Sequence, residues 1–459
     1  MTIATTNPAT GQVVKSYDPM SPHEVEARLA RAASGFDVLR RTSFADRAGW
    51  MRAAAGILDR DVDDIARVMT LEMGKTFASA RAEVAKCAKG CRFYAEHAEA
   101  FLAGEAVDAE AVSAAKAYST YQPLGPVLAV MPWNFPMWQA MRFAAPALMA
   151  GNVGILKHAS NVPQTALFME ELFRQAGFPE GSFATLLVGS DMVESVIADP
   201  RVKAVTLTGS EAAGRAVAAV AGRELKKTVL ELGGSDPFVV MPSADLERAA
   251  AVATIARCQN NGQSCIAAKR FIVHADVYDA FTAAFVEKMS GLTVGDPMSA
   301  STDVGPLATE QGRADVDEQV REAVAKGATV LCGGKRPGQA GWWYPPTVVA
   351  DLTPDMKMFA DEVFGPVAGL YKVASIDEAL AVANATTFGL GSNAWTSDPA
   401  EQRRFVAELD AGAVFVNGMT TSYPELPFGG VKNSGYGREL SAQGIREFCN
   451  HKAVWMGPA

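Results

Sequence analysis

Basic blocks, long apolar runs and clustered metal-ligating side chains are all missing from this sequence, and each absence removes a class of function. Acidic residues outnumber basic ones 51 to 42, a net charge of −9, and no basic stripe interleaved with aromatics occurs. Neither nucleic acid nor an anionic membrane surface is therefore an expected partner. No run approaches the apolar length of a transmembrane helix, and Met1–Pro8 lacks the charged and apolar regions of a signal peptide. The 5 histidines are dispersed. Cys87 and Cys91 share a helix face at i, i+4, yet no third Cys or His stands near them, so no metal is expected. The 6 cysteines (Cys87, Cys91, Cys258, Cys265, Cys332, Cys449) are scattered, which argues for reduced thiols in a cytoplasmic protein. Internal repeats are absent too.

What is present is an ordinary globular composition, 49% apolar and 20% charged, with length for two or three domains in 459 residues. After strand and turn signals in residues 1–20, alanine-rich segments at helical spacing run to about residue 103. Trp50, Ile57, Ile65, Met69 and Phe77 read there as core positions. Residues 117–124 look strand-like. Short apolar strands then alternate with helices. The strands are Val127–Met131, Val153–Lys157, Phe183–Val188, Ala204–Thr208 and Thr228–Leu232, with helices near 137–149, 161–176, 191–198 and 211–224. That alternation implies right-handed crossovers and a doubly wound, mostly parallel α/β sheet, whose ligands bind at the carboxyl ends of the strands. Residues 235–432 repeat the α/β character, with strands at 269–273, 328–332, 366–372 and 412–416. Glu447–Met456 ends the chain as a further strand.

Polar or glycine-rich patches sit at four of the strand ends: Pro132–Pro136, Lys157–Ser160, Thr208–Gly214 and Glu231–Gly234. Gly209-Ser210 opens a helix after a strand, where backbone N–H groups and the helix dipole attract phosphate. The spacing is Gly-x4-Gly, so neither the usual dinucleotide fingerprint nor a phosphate-binding NTPase loop is present. Lys157, ending a strand, is within reach of ribose hydroxyls. A lone cysteine is commonly core, but Gln259-Asn260-Asn261-Gly262-Gln263-Ser264-Cys265 is a poor core segment. It reads instead as a loop presenting a nucleophile. Asn134 is a candidate amide donor to an oxyanion, and Glu231 a candidate general base.

Pro132–Pro136, Glu231–Gly234, Gly262–Cys265, Glu362–Pro366 and Pro427–Gly430, in this order and spacing, resemble the NAD(P)-dependent aldehyde dehydrogenase superfamily over essentially the whole chain. Leu156–Pro163, Gln259–Val273 and Ser422–Leu440 are similar to its bacterial, actinobacterial NADP-dependent succinate-semialdehyde branch. The resemblance implies a Rossmann-type cofactor domain (1–105 and 126–233), a catalytic domain (234–432) and bridging segments (106–125 and 433–459) that assemble a homodimer or homotetramer. It implies that Cys265 attacks the aldehyde, that Asn134 and the Cys265 N–H hold the oxyanion, and that Glu231 activates the hydrolytic water. Trp133, Asn134, Lys157, His158, Ala159, Ser160, Gly209, Ser210, Leu232 and Glu362 match cofactor-contacting positions.

Ser160 stands where NAD-preferring relatives often carry a glutamate that repels a 2′-phosphate. NADP is therefore the expected cofactor, with NAD possible and with Lys157 and His158 favouring the extra charge. His158 equally fits a capping or packing role. Arg142 matches a carboxylate-binding arginine of the animal semialdehyde enzymes, whereas a structural ion pair is its alternative. The second arginine of those enzymes is Gln259 here, which leaves tail recognition to Arg142, Ser422 or others. Glutarate semialdehyde or a non-carboxylated aldehyde is the alternative substrate. A non-redox cysteine acyl hydrolase and a catalytically silent nucleotide-binding protein are the alternative classes.

Overall fold

β-branched and apolar runs alternate with alanine-rich helices across residues 126–231, and in the computed structural model, which describes residues 2–458, they build a six-stranded sheet. Met1 and Ala459, the outer ends of the expected first and last segments, lie outside the described residues. The strand order is Gly435–Tyr436, Lys227–Glu231, Ala204–Thr208, Pro126–Met131, Val153–His158, Phe183–Thr185. Every neighbouring pair is parallel except the Gly435–Tyr436 edge. Ala204–Thr208 is buried along its whole length, as a parallel strand covered on both faces must be. Helix Trp138–Ala150 is likewise buried throughout. Apolar residues on all its sides pack it between the sheet and the long helix Phe77–Phe101.

A second sheet of seven strands runs Thr329–Cys332, Thr347–Ala350, Val367–Val373, Ala268–His274, Asp236–Val240, Asn393–Trp395, Phe415–Val416. Asp236–Val240 is inside this sheet, although Pro237 masks it in the sequence. A register shift between Asp236 and Pro237 absorbs the missing N–H. The third sheet is antiparallel: Cys449–Met456, Lys116–Pro123, Glu105–Val107. Within the expected bridging segment 433–459 only Cys449–Met456 enters it, because Gly435–Tyr436 pairs with the end of Lys227–Glu231 instead.

One connection places the site. Leu232–Ser235 alone joins Glu231, the last residue of a first-sheet strand, to Asp236, the first of a second-sheet strand. The carboxyl ends of the first sheet therefore face the amino ends of the second, and the loop before Ala268–His274 lies in that seam. No helix among the described residues is long and apolar enough to cross a membrane.

Candidate active site

Helix Leu246–Cys258 stops where Asn260, Asn261 and Gly262 take left-handed backbone angles (φ 55°, 57° and 75°) in succession. Asparagine tolerates that region because its amide bonds locally. At Gly262 a Cβ would lie 2.3 Å from the Gly365 carbonyl carbon, so only glycine passes there. The turn is bolted from several sides. Asn260 Nδ2 donates to the carbonyls of Asn134 (2.7 Å) and Gln263 (3.0 Å). Asn261 Nδ2 donates to the Gly74 and Pro306 carbonyls, both at 2.9 Å, and its Oδ1 accepts from Gly305 N (2.8 Å). Buried Lys269 donates to the Ser264 (2.9 Å) and Cys265 (2.5 Å) carbonyls and lies 3.3 Å from Glu362 Oε1. The thiol that follows is held by backbone whose polar groups are largely satisfied within the protein.

Cys265 is half-buried and lines two cavities. The first, about 260 Å³, runs past Trp133, Asn134, Leu232 and Glu362 to Gly209 and Ser210. The second, about 60 Å³, is bounded by Phe135, Trp138, Arg142, Gln259, Phe428, Ser422 and Lys86. One amide hydrogen of Asn134 Nδ2 is spent on the Gln263 carbonyl (3.1 Å), which leaves the second for another acceptor. Burial pushes the Cys265 thiol up to about 12, against the opposing charges of Arg142 and Lys269. The resting side chain is thus a thiol, not a thiolate.

Glu231 is buried, and among the described residues neither carboxylate oxygen has a hydrogen-bond partner. Burial, with Glu439 nearby, holds its carboxyl well above the ordinary range, while Arg142 and Arg438 oppose the rise. Its Oε1 faces Gly429, where a Cβ would approach to 2.8 Å. Among the described residues it borders neither cavity. The reason is local: Gly435 pairs with Glu231 and folds the 427–438 turn over the strand end.

The Aldehyde dehydrogenase family model matches residues 1–454. The chain belongs to the aldehyde dehydrogenase family. It is 64% identical over 458 residues to "Succinate-semialdehyde dehydrogenase [NADP(+)] 1" of Mycobacterium ulcerans, covering 100% of both chains. It is also 64% identical to "Succinate-semialdehyde dehydrogenase [NADP(+)]" of Mycolicibacterium paratuberculosis, covering 100% of this chain and 97% of that one. Among solved structures, the succinic semialdehyde dehydrogenase of Streptococcus pyogenes in complex with NADP+ superposes with a TM-score of 0.96 at 40% identity, over 99% of this chain and 100% of that one.

For this aldehyde dehydrogenase, the structure groups Trp133, Asn134, Gly209, Ser210, Leu232, Cys265 and Glu362 around one cavity. Lys157, the last residue but one of strand Val153–His158, is half-buried and without a side-chain acceptor among the described residues, and Ala159 and Ser160 beyond the strand are half-buried too. His158 takes the second of its two expected roles, packing. Its Nε2 meets the Pro136 carbonyl at 2.7 Å, its Nδ1 accepts from Ala159 N (2.9 Å), and burial lowers it to about 4. It is a neutral packing histidine and brings no charge to a phosphate. Arg142 forms the ion pair that was its alternative. Its guanidinium pairs with buried Glu439, reaches Thr208 Oγ1 (3.4 Å) and stacks 4.5 Å from the Phe428 ring centre. It borders the second cavity as one half of an ion pair, not as a free cation. Sequence reasoning passed over Lys269, Glu439 and Lys86, which lie on a strand, in an isolated β-bridge with Phe428 and on a distant helix, with no local motif to mark them.

Proposed function

We propose that this aldehyde dehydrogenase oxidises succinate semialdehyde to succinate with NADP. The observation that carries the chemistry is Cys265 at the junction of two cavities, with an aldehyde entering from one and a dinucleotide from the other. The high-identity relatives support the choice of substrate and cofactor. The first cavity fits a dinucleotide: a Cβ at Gly209 would meet nothing nearer than Leu207 Cδ2 at 3.6 Å, so the bare position answers to no packing demand of the protein. Gly209 and Ser210 at the start of helix Glu211–Arg223 would hold the pyrophosphate, Glu362 a ribose, and Lys157 with Ser160 the phosphorylated ribose.

Cys265 gives its thiol proton to solvent as its sulfur bonds the aldehyde carbon, giving a thiohemiacetal whose oxygen accepts from Asn134 Nδ2 and the Cys265 N–H. NADP, when bound, supplies the hydride acceptor. The resulting thioester carbon is then attacked by a water whose proton passes to Glu231 and from there to the departing sulfur, releasing the acid and the thiol. Asn134→Ala removes one oxyanion donor and lowers kcat on the order of a hundredfold, as steady-state kinetics will report. Ser160→Glu places a carboxylate beside the 2′-phosphate. The KM for NADP rises about tenfold or more while that for NAD falls or holds, read from parallel saturation curves.

The deciding experiment is a kcat/KM panel of succinate semialdehyde, glutarate semialdehyde, acetaldehyde and benzaldehyde, each with NAD and NADP. A best substrate lacking a carboxylate, or a preference for NAD, overturns the assignment. Acyl hydrolysis without redox chemistry has no support in the geometry, since no histidine lines either cavity among the described residues. The same reading places a homodimer or homotetramer contact at the three-stranded sheet. Among the described residues its outer strand Cys449–Met456 has an unpaired edge, and it exposes Trp455 and Met456, with Val107 exposed on the opposite edge strand.

A further inference from the structure

Helix Trp138–Ala150 starts just past Asn134, yet nothing local caps it: Met137, at its N-cap, has helical angles and no side-chain acceptor for the first N–H groups. The acceptor comes from 54 residues upstream. Glu83, on helix Phe77–Phe101, takes the N–H groups of Met137 and Trp138 on its Oε1, both at 2.9 Å. Its Oε2 pairs with Lys75, and both side chains of that ion pair are buried. The Lys75 ammonium also stands 4.4 Å from the ring centre of Phe135, the residue after Asn134. Lys75 lies in the short link between helices Val62–Met73 and Phe77–Phe101. The first residue of that link, Gly74, gives its carbonyl to Asn261 Nδ2 (2.9 Å) in the nucleophile's turn. The stretch 74–83 therefore grips both halves of the oxyanion site, the turn before Cys265 by a backbone carbonyl and the loop carrying Asn134 by a side chain.

We propose that Glu83, held in register by Lys75, is a positioning residue that fixes the Asn134 amide against Cys265 for the oxyanion. A buried ion pair adds little stability over apolar side chains of the same volume, because both charges must leave water. What this pair adds is direction: one carboxylate oxygen is aimed at two successive backbone N–H groups, and the negative charge sits at the positive end of the helix that follows Asn134. Among the described residues neither Lys75 nor Glu83 lines either cavity, so both act through the Asn134 loop and not on the substrate. Oxyanion stabilisation is sensitive to such placement, since a displacement of about 1 Å in a catalytic group costs on the order of a hundredfold in rate.

The inference rests on the oxyanion role of Asn134 proposed above, and a double-mutant cycle on the best substrate of the aldehyde panel separates the two. An Asn134→Ala enzyme with near-normal kcat removes the oxyanion role and this inference with it. Where Asn134→Ala does lower kcat, Glu83→Asp is the probe: it keeps the charge for Lys75 and draws the acceptor away from both N–H groups. Alone it is expected to lower kcat roughly 10- to 100-fold at little-changed KM for the aldehyde, because the oxyanion is absent from the ground-state complex. Added to Asn134→Ala, the same change costs about twofold or less, since the amide it places is gone. Lys75→Met/Glu83→Met, which fills the site with apolar chains of similar volume, gives the same non-additive loss. Lys75→Met/Glu83→Gln, which restores a neutral acceptor, recovers most of it. Equal losses with and without Asn134→Ala would make the pair a support of the fold alone, and full activity in both probes would leave Asn134 placed without it; either result overturns the proposal. Tm reports the folding of each variant, and the two probes, one charged and one apolar, keep the cycle readable where one of them does not fold.

Discussion

Cys265→Ser abolishes aldehyde-dependent reduction of NADP, a fall in kcat on the order of a thousandfold or more, while NADP binding survives. The substitution keeps the side chain's size and leaves in place the network from Asn260, Asn261 and Lys269 that holds the loop. What it removes is the nucleophile. A serine hydroxyl ionises far less readily than a thiol, and among the described residues no histidine lines either cavity to take the proton. The pH dependence gives a second reading. With the thiol pushed up to about 12, alkylation of the cofactor-free enzyme by iodoacetamide accelerates about tenfold per pH unit across the neutral range. The direction follows from the thiolate being the reactive form and being scarce below that value. Cys87, Cys91, Cys258 and Cys449 are buried and Cys332 is half-exposed, so peptide mass spectrometry must assign the label. Substantial NADP reduction by the serine variant would end the nucleophile assignment.

Much of this site was legible in the sequence because its parts stand where strands stop. Pro132–Pro136, Thr208-Gly209-Ser210 and Glu231–Gly234 each follow an apolar run, and a parallel sheet brings such ends together whatever lies between them. The expected strands at 127–131, 153–157 and 204–208 match Pro126–Met131, Val153–His158 and Ala204–Thr208 closely for the same reason. Asp236–Val240 was hidden by its proline, and Asn393–Trp395 by its brevity. Side-chain commitments were less accessible. Arg142 among Met141 and Phe143 looks like a charge reserved for a ligand until Glu439, far along the chain, is folded against it. Lys86 and Ser422 meet across 336 positions of sequence, and no periodicity or motif joins a helix residue to a loop residue at that range. Strand-end geometry is a local property, whereas the pairing of buried charges belongs to the tertiary fold.

Glu231→Gln separates the two halves of the reaction, and the position of this side chain says how. Amide for carboxyl preserves shape in a pocket where neither carboxylate oxygen has a partner, so the fold is undisturbed. Cys265 and Asn134 remain in place, so the acyl-enzyme still forms and each subunit releases about one NADPH in a burst. Hydrolysis of the thioester then lacks its base, and steady-state kcat falls on the order of 10² to 10⁴-fold. Rapid mixing resolves the burst from the steady state. Because Glu231 rests against Gly429, Arg438 and the Arg142–Glu439 pair, outside both cavities, it must swing about its side-chain bonds to reach the water. Ionisation favours that swing, since a buried charge gains from solvent. The base works deprotonated and its folded-state carboxyl is raised, so wild-type deacylation climbs with pH through the raised value, and the glutamine variant loses that limb. Stability moves the opposite way. A raised carboxyl means that the folded protein binds more protons than the unfolded chain above the ordinary glutamate range, so its contribution to stability declines as pH rises until the folded carboxyl ionises. Glu231→Gln removes that decline, and its Tm exceeds that of wild type by a margin that widens from acid to neutral pH. Loss of the burst together with turnover would show that Glu231 acts before the thioester, in acylation, and the assignment as deacylating base would fall.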